Sequence, residues 1–475
     1  MEYLLLLIIP LLIILVVLFR TFKFKPEGLP EMKKRHDIDE KRVVESLSKM
    51  IQFKTISYAD KSLIDENEFQ QFRAFIKERY PLIFSVATYS EHFKGMLIKI
   101  KGESSDAPVV LMSHYDVVPI NGEWIEDPFS GRVNEKTVYG RGTLDTKSSL
   151  NAVMESVEFA LSKNKVFKQD LYLAFGGDEE TYGVSASAIV DYLDQQGIKP
   201  SMVLDEGGAI VSNMFPGVSH KAAVIGIAEK GFLNLKLVAK SKGGHASTPP
   251  KDTALTLLAK AIVKLNNHPS FKLKLTPPVK SLFEHLAPHS NSFFIRMLFS
   301  NLWLFLPLVK LIAKKSGGEF LSLFKTTQAF TLARGSEAIN VLPSHAEIGV
   351  NYRLRPFETS HDVIERVKKI VSPYHIDVEA VEISEATTTS RVDEQYKIIE
   401  KAIKQTWPDV IPAPYLMIAT SDSRHYHRIC ENVYKFSPMD VSKTDLAKIH
   451  GVDEDISIDN VIHGVNFYLN ILDQL

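Results

Sequence analysis

The chain has 475 residues, with 56 Lys and Arg against 57 Asp and Glu and a net charge of −1. That length exceeds one typical core and implies two or three domains, and an apolar content of 45% argues against disorder. Near-neutral charge without a long basic block argues against nucleic-acid binding, and the single cysteine, Cys430, excludes an intrachain disulfide or a cysteine-based zinc ribbon. No Asn-x-Ser/Thr glycosylation signal occurs. Any metal must therefore be held by His, Asp and Glu.

The chain opens on an apolar run, Tyr3 to Phe19, long enough to span a bilayer. No small-x-small cleavage site follows; Arg20, Lys23, Lys25 and Pro26 come instead, so residues 1–25 read as an uncleaved single-pass membrane anchor. The basic flank lies C-terminal to the run, which under the positive-inside rule would keep the main domain cytoplasmic. Between Asp37 and Lys54, Val43, Val44, Leu47, Met50 and Ile51 recur at helical spacing, and a second helical pattern covers Phe69 to Ile76. Short apolar runs of strand character follow at Met96–Ile100, Val109–Met112, Leu171–Phe175 and Met202–Leu204. Helix-like segments, Ser148–Leu161 and Ser185–Leu193, alternate with them. That alternation predicts an α/β layer with a largely parallel sheet.

Polar residues gather at one end of these strands. His114 and Asp116 follow Val109–Met112, Glu179 and Glu180 follow Leu171–Phe175, and Asp205 and Glu206 follow Met202–Leu204. In open α/β sheets ligands bind beyond the carboxyl ends of strands, so acids and a His converge on one crevice. A Gly-flanked turn, Gly140-Arg141-Gly142, delivers Asp145.

From Glu229 the texture changes. Leu233, Leu235 and Leu237 alternate with polar residues as in a half-exposed strand. A helix follows over Thr253–Asn266, and alternation returns at Ile348, Val350 and Tyr352. Residues 229–355 thus read as a smaller α+β domain inserted between two parts of the larger one, 36–228 and 356–475. Inside it, Phe293 to Ile312 is a second apolar stretch, interrupted by Arg296, Asn301 and Lys310 and broken by Pro307, so a second span is not expected. It reads either as a buried helix pair or as a surface that meets the bilayer or shelters an acyl chain. Beyond Pro356, helices are expected over Val363–Val371, Tyr396–Trp407 and Asn460–Leu472.

Singly, each polar motif is weak, because an H-x-D triplet or an exposed run of acids is common by chance. Jointly and in order, SHYDVVP, GRGTLDTK, GGDEE, DEGG, GGHAS and HGVDE resemble the M20 family of zinc peptidases and aminoacylases, over the chain from about Val43 to its end. The likeness is greatest to the branch of carboxypeptidase S and the N-fatty-acyl-amino-acid synthase/hydrolase. The resemblance implies a phosphorylase/hydrolase-like catalytic domain with a mixed, largely parallel sheet, plus an inserted α+β lid or dimerisation domain. It also implies two zinc ions per subunit, or another divalent metal, held by His114 and Asp205 on one side and Glu180 and His450 on the other, with Asp145 bridging. Glu179 would be the general base. Asp116 would orient His114, its alternative being an Asx-type turn. Glu206 reads as a helix-capping or exposed acid, and Gly207 and Gly208 as turn backbone.

In family dimers the lid histidine, here His245, reaches the partner's site and stabilises an oxyanion; Asn340 and Arg353 match positions that grip a substrate carboxylate, with Arg355 a nearby competitor. Ser421, Asp422 and Ser423 match a turn near the site. Thr143, Leu144 and Thr146 depart from common family residues without touching the ligand set. The implied activity is hydrolysis, or its reversal, of an amide beside a free carboxylate, releasing an amino acid from a peptide or an N-acyl-amino acid. The rivals are an exopeptidase of broad scope and an inactive metal-binding scaffold, the latter disfavoured by the intact ligands and Glu179.

Overall fold

The structure is a computed structural model that describes residues 2–24, 35–212, 214–215, 217–218, 220–268, 271–290 and 292–475, with side chains described from residue 8 onward. The expected anchor therefore lies partly outside the described residues. Its remainder is helix α1 (Glu2–Lys23), in which Ile8 to Val16 are exposed. Among the described residues no single helix is long and apolar enough to cross a membrane.

Four strands carry the centre of the large sheet: β1 (Gly95–Ile100), β2 (Ser104–His114), β3 (Gln169–Gly176) and β4 (Met202–Asp205). β2 pairs parallel with both β3 and β4, whereas β1 pairs antiparallel with β3. The sheet has ten strands among the described residues and is mixed at both sides of this parallel centre. Val109, Val110 and Leu111 of β2 are almost wholly buried, as are Leu171 and Leu173 of β3 and Val203 and Leu204 of β4. Each such side chain contributes roughly 1.5–3 kcal/mol on leaving water. Helices cover both faces, and Lys147–Ser162 packs against Ile458–Leu472 on one of them. Both helices are buried nearly all round, and among their buried polar side chains Asn151, Glu155 and Glu158 on the first helix and Asn470 on the second each have hydrogen-bond partners.

The smaller unit is a four-stranded antiparallel sheet in which Gly231–Lys240 lies between His345–Leu354 and Asp377–Ser384, with Thr327–Arg334 at the edge. One face packs on helices Ala254–Asn267 and Ser360–Val371. The expected boundary at 355 falls inside this unit, because the edge strand Asp377–Ser384 and the helix before it join its core. The charged sequence DVEAVEIS conceals an edge strand that needs to bury little. Conversely, Val279, Leu282, Phe283 and Leu286 pack into the core of the large domain.

The apolar stretch forms two helices, α2 (Phe293–Ser300) and α3 (Leu302–Ser316), bent by 115°. The break falls at Asn301 rather than at the expected Pro307, which is accommodated within α3. A proline in a helix forfeits one backbone hydrogen bond, whereas fully buried Asn301 turns its amide onto the carbonyl of Met297 and atoms of α1. One face of the pair is buried, while Phe293, Phe294, Trp303, Leu304 and Leu311 are exposed.

Candidate metal centre

The three parallel strands end where the sequence pattern predicts, and their following residues meet. His114 is buried at the end of β2. Its Nδ1 lies 3.0 Å from the carbonyl oxygen of Asp116 and 3.3 Å from Asp116 Oδ1. A carbonyl can only accept, so Nδ1 carries the proton and Nε2 keeps its lone pair. That lone pair faces Asp145 Oδ1 at 3.1 Å and Glu206 Oε1 at 3.2 Å. On the other side His450 Nε2 faces Asp145 Oδ2 at 3.0 Å and Glu180 Oε2 at 3.1 Å. Asp145 thus presents one oxygen to each imidazole, and Glu180 Oε1 is buried without a hydrogen-bond partner.

Acceptors converging on acceptors require positive charge between them. Two ligands on a tetrahedral zinc, each at 2.0–2.1 Å, stand about 3.3 Å apart, close to the separations seen here. The donor set of imidazole and carboxylate suits zinc or a similar divalent ion. The residues fit the metals that the sequence pattern implies.

Without an ion between them, the same crowding of acids draws protons instead. Burial alone would depress His114, but Glu206, then Asp116 and Asp145, outweigh it and raise it well above the usual imidazole range. Burial, reinforced by Asp145, pushes Glu180 up to about 7. Burial also pushes Glu179 well above the carboxylate range; His114 offsets part of that, while Asp422, Glu206 and Glu180 add to it. So many acids in one buried volume favour cations.

Asp116 does more than orient His114. Its Oδ1 accepts from the backbone N–H of Glu179 at 3.2 Å and its Oδ2 from that of Glu180 at 3.1 Å. One carboxylate therefore anchors the turn that carries Glu179 and Glu180. Glu179 opens that one-turn 3-10 segment, Glu179–Thr181, and is buried.

Asp205 differs from its expected place. Its Oδ1 accepts from the N–H of Glu206 at 2.9 Å and its Oδ2 from that of Ser423 at 3.0 Å, so its carboxylate is engaged by backbone. The neighbouring Glu206, read as a capping or exposed acid, holds the position beside His114. Successive side chains at a strand end point to opposite sides, and adjacent acids cannot be told apart by type. Ser421 and Ser423 are buried on Glu229, which helps fix the turn that holds Asp205.

One contributor closes the HGVDE motif, yet nothing in the sequence gives its role. Glu454, fully buried, accepts from the N–H groups of Gly142 at 3.1 Å, Leu144 at 2.7 Å and Asp145 at 3.2 Å, and pairs with Arg141 Nη1 at 2.7 Å. Arg141 Nη2 also donates to the carbonyl of Gly451, next to His450. One ion pair thus ties the turn bearing Asp145 to the loop bearing His450. Gly140 and Gly142 have φ of 138° and 90°, values that only glycine adopts without strain in such a turn. Glu454→Ala leaves the Arg141 charge buried and unpaired, and a loss of roughly 3–5 kcal/mol in unfolding free energy is expected. A denaturant titration checks it; a variant as stable as the parent would refute the clamp.

The remaining expected residues lie elsewhere. His245 and Asn340 sit together on an exposed two-stranded ribbon, in which Gly244–His245 pairs with Val341–Leu342 and the carbonyl of Asn340 accepts from the N–H of Ala246. The His245 ring accepts from the N–H of Ser247 at Nδ1. Arg353 lies over Phe232 at 5.9 Å, and its Nη1 is buried without a hydrogen-bond partner. Phe232 in turn packs at a tilt against Tyr182, two residues from Glu180. Burial, with Arg353, Lys325 and Arg355 nearby, lowers Lys230 to about 7. Arg355, the competitor, is buried and spends Nη1 on the carbonyl of Pro356, with Glu358 close by.

Known structures share this architecture. A metallo-carboxypeptidase of the M20 family from Sulfolobus solfataricus superposes with a TM-score of 0.66 at 18% identity, over 91% of this chain and 99% of its own. Human carnosine dipeptidase 1 gives 0.64 at 13%, over 92% and 97%. In sequence, residues 110–474 match peptidase family M20/M25/M40. A probable carboxypeptidase S-like 2 of Dictyostelium discoideum is 34% identical over 97% of this chain and 91% of its own. The N-fatty-acyl-amino acid synthase/hydrolase PM20D1.1 of Danio rerio is 30% identical over 97% and 93%. The fold and site define a metal-dependent hydrolase. The chain belongs to peptidase family M20/M25/M40.

Proposed function

We propose that this protein is a dinuclear zinc hydrolase that cleaves an amide beside a free carboxylate, releasing an amino acid from an N-acyl-amino acid or a peptide C-terminus. The observation that carries the reading is Asp145, whose two oxygens face two separate imidazoles. His114 and Glu206 would hold one ion, His450 and Glu180 the other, and Asp145 would serve both; Glu206 would take the role expected, from the sequence, of Asp205. When bound, the two ions supply an activated water and polarise the scissile carbonyl.

Glu179 takes the proton of the attacking water and hands it to the leaving nitrogen, a task suited to a buried carboxyl whose proton affinity has been raised. Asp116 positions Glu179 through its backbone and His114 through its ring. Arg353, with its unpartnered guanidinium nitrogen, receives the substrate carboxylate. The exposed ribbon of His245 and Asn340 serves the site of a second copy, and α1 serves as the membrane anchor. Among substrates, N-acyl-amino acids with long chains are favoured, because the relatives include an N-fatty-acyl-amino acid synthase/hydrolase and large apolar side chains are exposed on α2 and α3.

A release assay over short peptides and N-acyl-amino acids of graded chain length tests this. Long-chain substrates are expected to give the highest kcat/KM, and a chelator is expected to abolish release until divalent metal is restored. Faster cleavage of short polar dipeptides would favour the broad exopeptidase. Release that persists after metal removal would rule out the metal-dependent reading altogether.

A further inference from the structure

The bent pair α2–α3 and the N-terminal helix are joined, and the joint exposes one apolar face. Val17 and Thr21 of α1 are buried against the bend. Asn301 Nδ2 donates to the carbonyl of Val17 at 3.3 Å and lies 3.1 Å from Thr21 Oγ1; Arg20 Nε donates to the carbonyl of Ser300 at 3.2 Å. The Phe22 and Phe293 rings meet at 5.7 Å between centroids. Outward from this joint project Phe19, Phe22, Phe293, Phe294, Trp303 and Leu304, with Phe19 69% and Trp303 55% exposed. Water-exposed aromatic and aliphatic side chains in such continuity mark a contact surface rather than a finished exterior.

Further along α3 the same stripe that carries Trp303 changes character, since Pro307, Lys310 and Lys314 follow it at helical spacing. Pro307, Lys310, Leu311 and Lys314 of α3 border a cleft of about 770 Å³, which Lys272, Lys325 and His268 complete from the smaller domain. No acid lines it, and among the described residues none of the four lysines has an ion-pair partner. An apolar end that runs into a cleft with four lysines and no acid is the pattern of a helix whose one end enters an anionic membrane while the other meets its headgroups.

We infer that α1, α2 and α3 dock as one unit on an anionic phospholipid bilayer, with the aromatic face in the acyl boundary and the α3 cleft taking lipid phosphate headgroups. A bent pair suits this geometry. By length and composition α2 and α3 together match a membrane segment, and with a bend of 115° the two helices cannot both follow the bilayer normal. The tie through Asn301 makes α1 and the pair rigid with respect to each other, so the bilayer also sets how the whole enzyme faces it. The surface does not depend on the catalytic reading.

The test uses the full chain mixed with vesicles of phosphatidylcholine, with and without phosphatidylserine, one set brominated in its acyl chains. Brominated chains are expected to quench a tryptophan component that Trp303→Phe removes, and phosphatidylserine is expected to strengthen partitioning. The double substitution Lys310→Glu with Lys314→Glu should weaken partitioning to the anionic vesicles by at least about thirtyfold and leave neutral vesicles unaffected. Both positions are on the surface of α3, and circular dichroism verifies the fold. Trp303 left unquenched in vesicle-bound protein would overturn the inference, since α1 alone would then hold the chain. So would a phosphatidylserine response that survives the charge reversal, or one abolished by soluble glycerophosphate.

Discussion

Glu179→Ala is expected to lower kcat by about 10²- to 10⁴-fold, the range of a lost general acid–base, with KM little changed. Metal content should stay at the parent level, because His114, Asp145, Glu180, Glu206 and His450 remain. That pairing of readouts matters here, since the Glu179 carboxylate also lies within ligand range of His114 and Glu206. A large loss of metal from Glu179→Ala would make Glu179 a ligand and leave the base unassigned. Full activity in the variant would remove it from the chemistry altogether. The comparison is informative because the turn is held by backbone bonds to Asp116, which the substitution does not touch.

Asp145→Ala should empty the site more completely than any other single change. Among the described residues it alone pairs with both histidines, so in the proposed dinuclear site its loss removes a ligand from both ions and leaves Glu180 and Glu206 closer to uncompensated repulsion. Loss of an outer hydrogen-bond partner typically costs 10–100-fold in metal affinity, and loss of a shared ligand is expected to exceed about 100-fold. Metal analysis after dialysis reads it directly. His114→Ala and His450→Ala should each retain more metal than Asp145→Ala; the reverse order would mean that the two ions do not share this carboxylate. Thermal stability should follow metal occupancy, since ions that bind only the folded chain stabilise it by mass action.

Much of this site is legible before any coordinates. His114, Glu179 and Glu180 follow apolar runs of strand length, and parallel strands present their carboxyl ends together. Periodicity and composition alone therefore predict one crevice, and β2, β3 and β4 meet that expectation. Asp145 is legible through its glycine-flanked turn. The Asp205–Glu206 pair is not, because side-chain direction at a strand end depends on where the chain turns next. Glu454 is not legible either: it stands among other acids in HGVDE, and its partners lie 309 to 313 residues away.

The same division runs through the whole molecule. The sequence by itself determined the central strands and most helices, the crevice, the residue types in it and the family, since these follow from local periodicity, strand ends and ordered motifs. Tertiary structure alone decided which acid faces His114 and which carboxylate clamps the Asp145 turn. It also decided that α1 is tied to the α2–α3 bend at Asn301, and that the strand Asp377–Ser384 belongs to the smaller domain. Each of these depends on contacts between segments distant in sequence, and such contacts are set by packing and by satisfying buried polar groups rather than by local pattern.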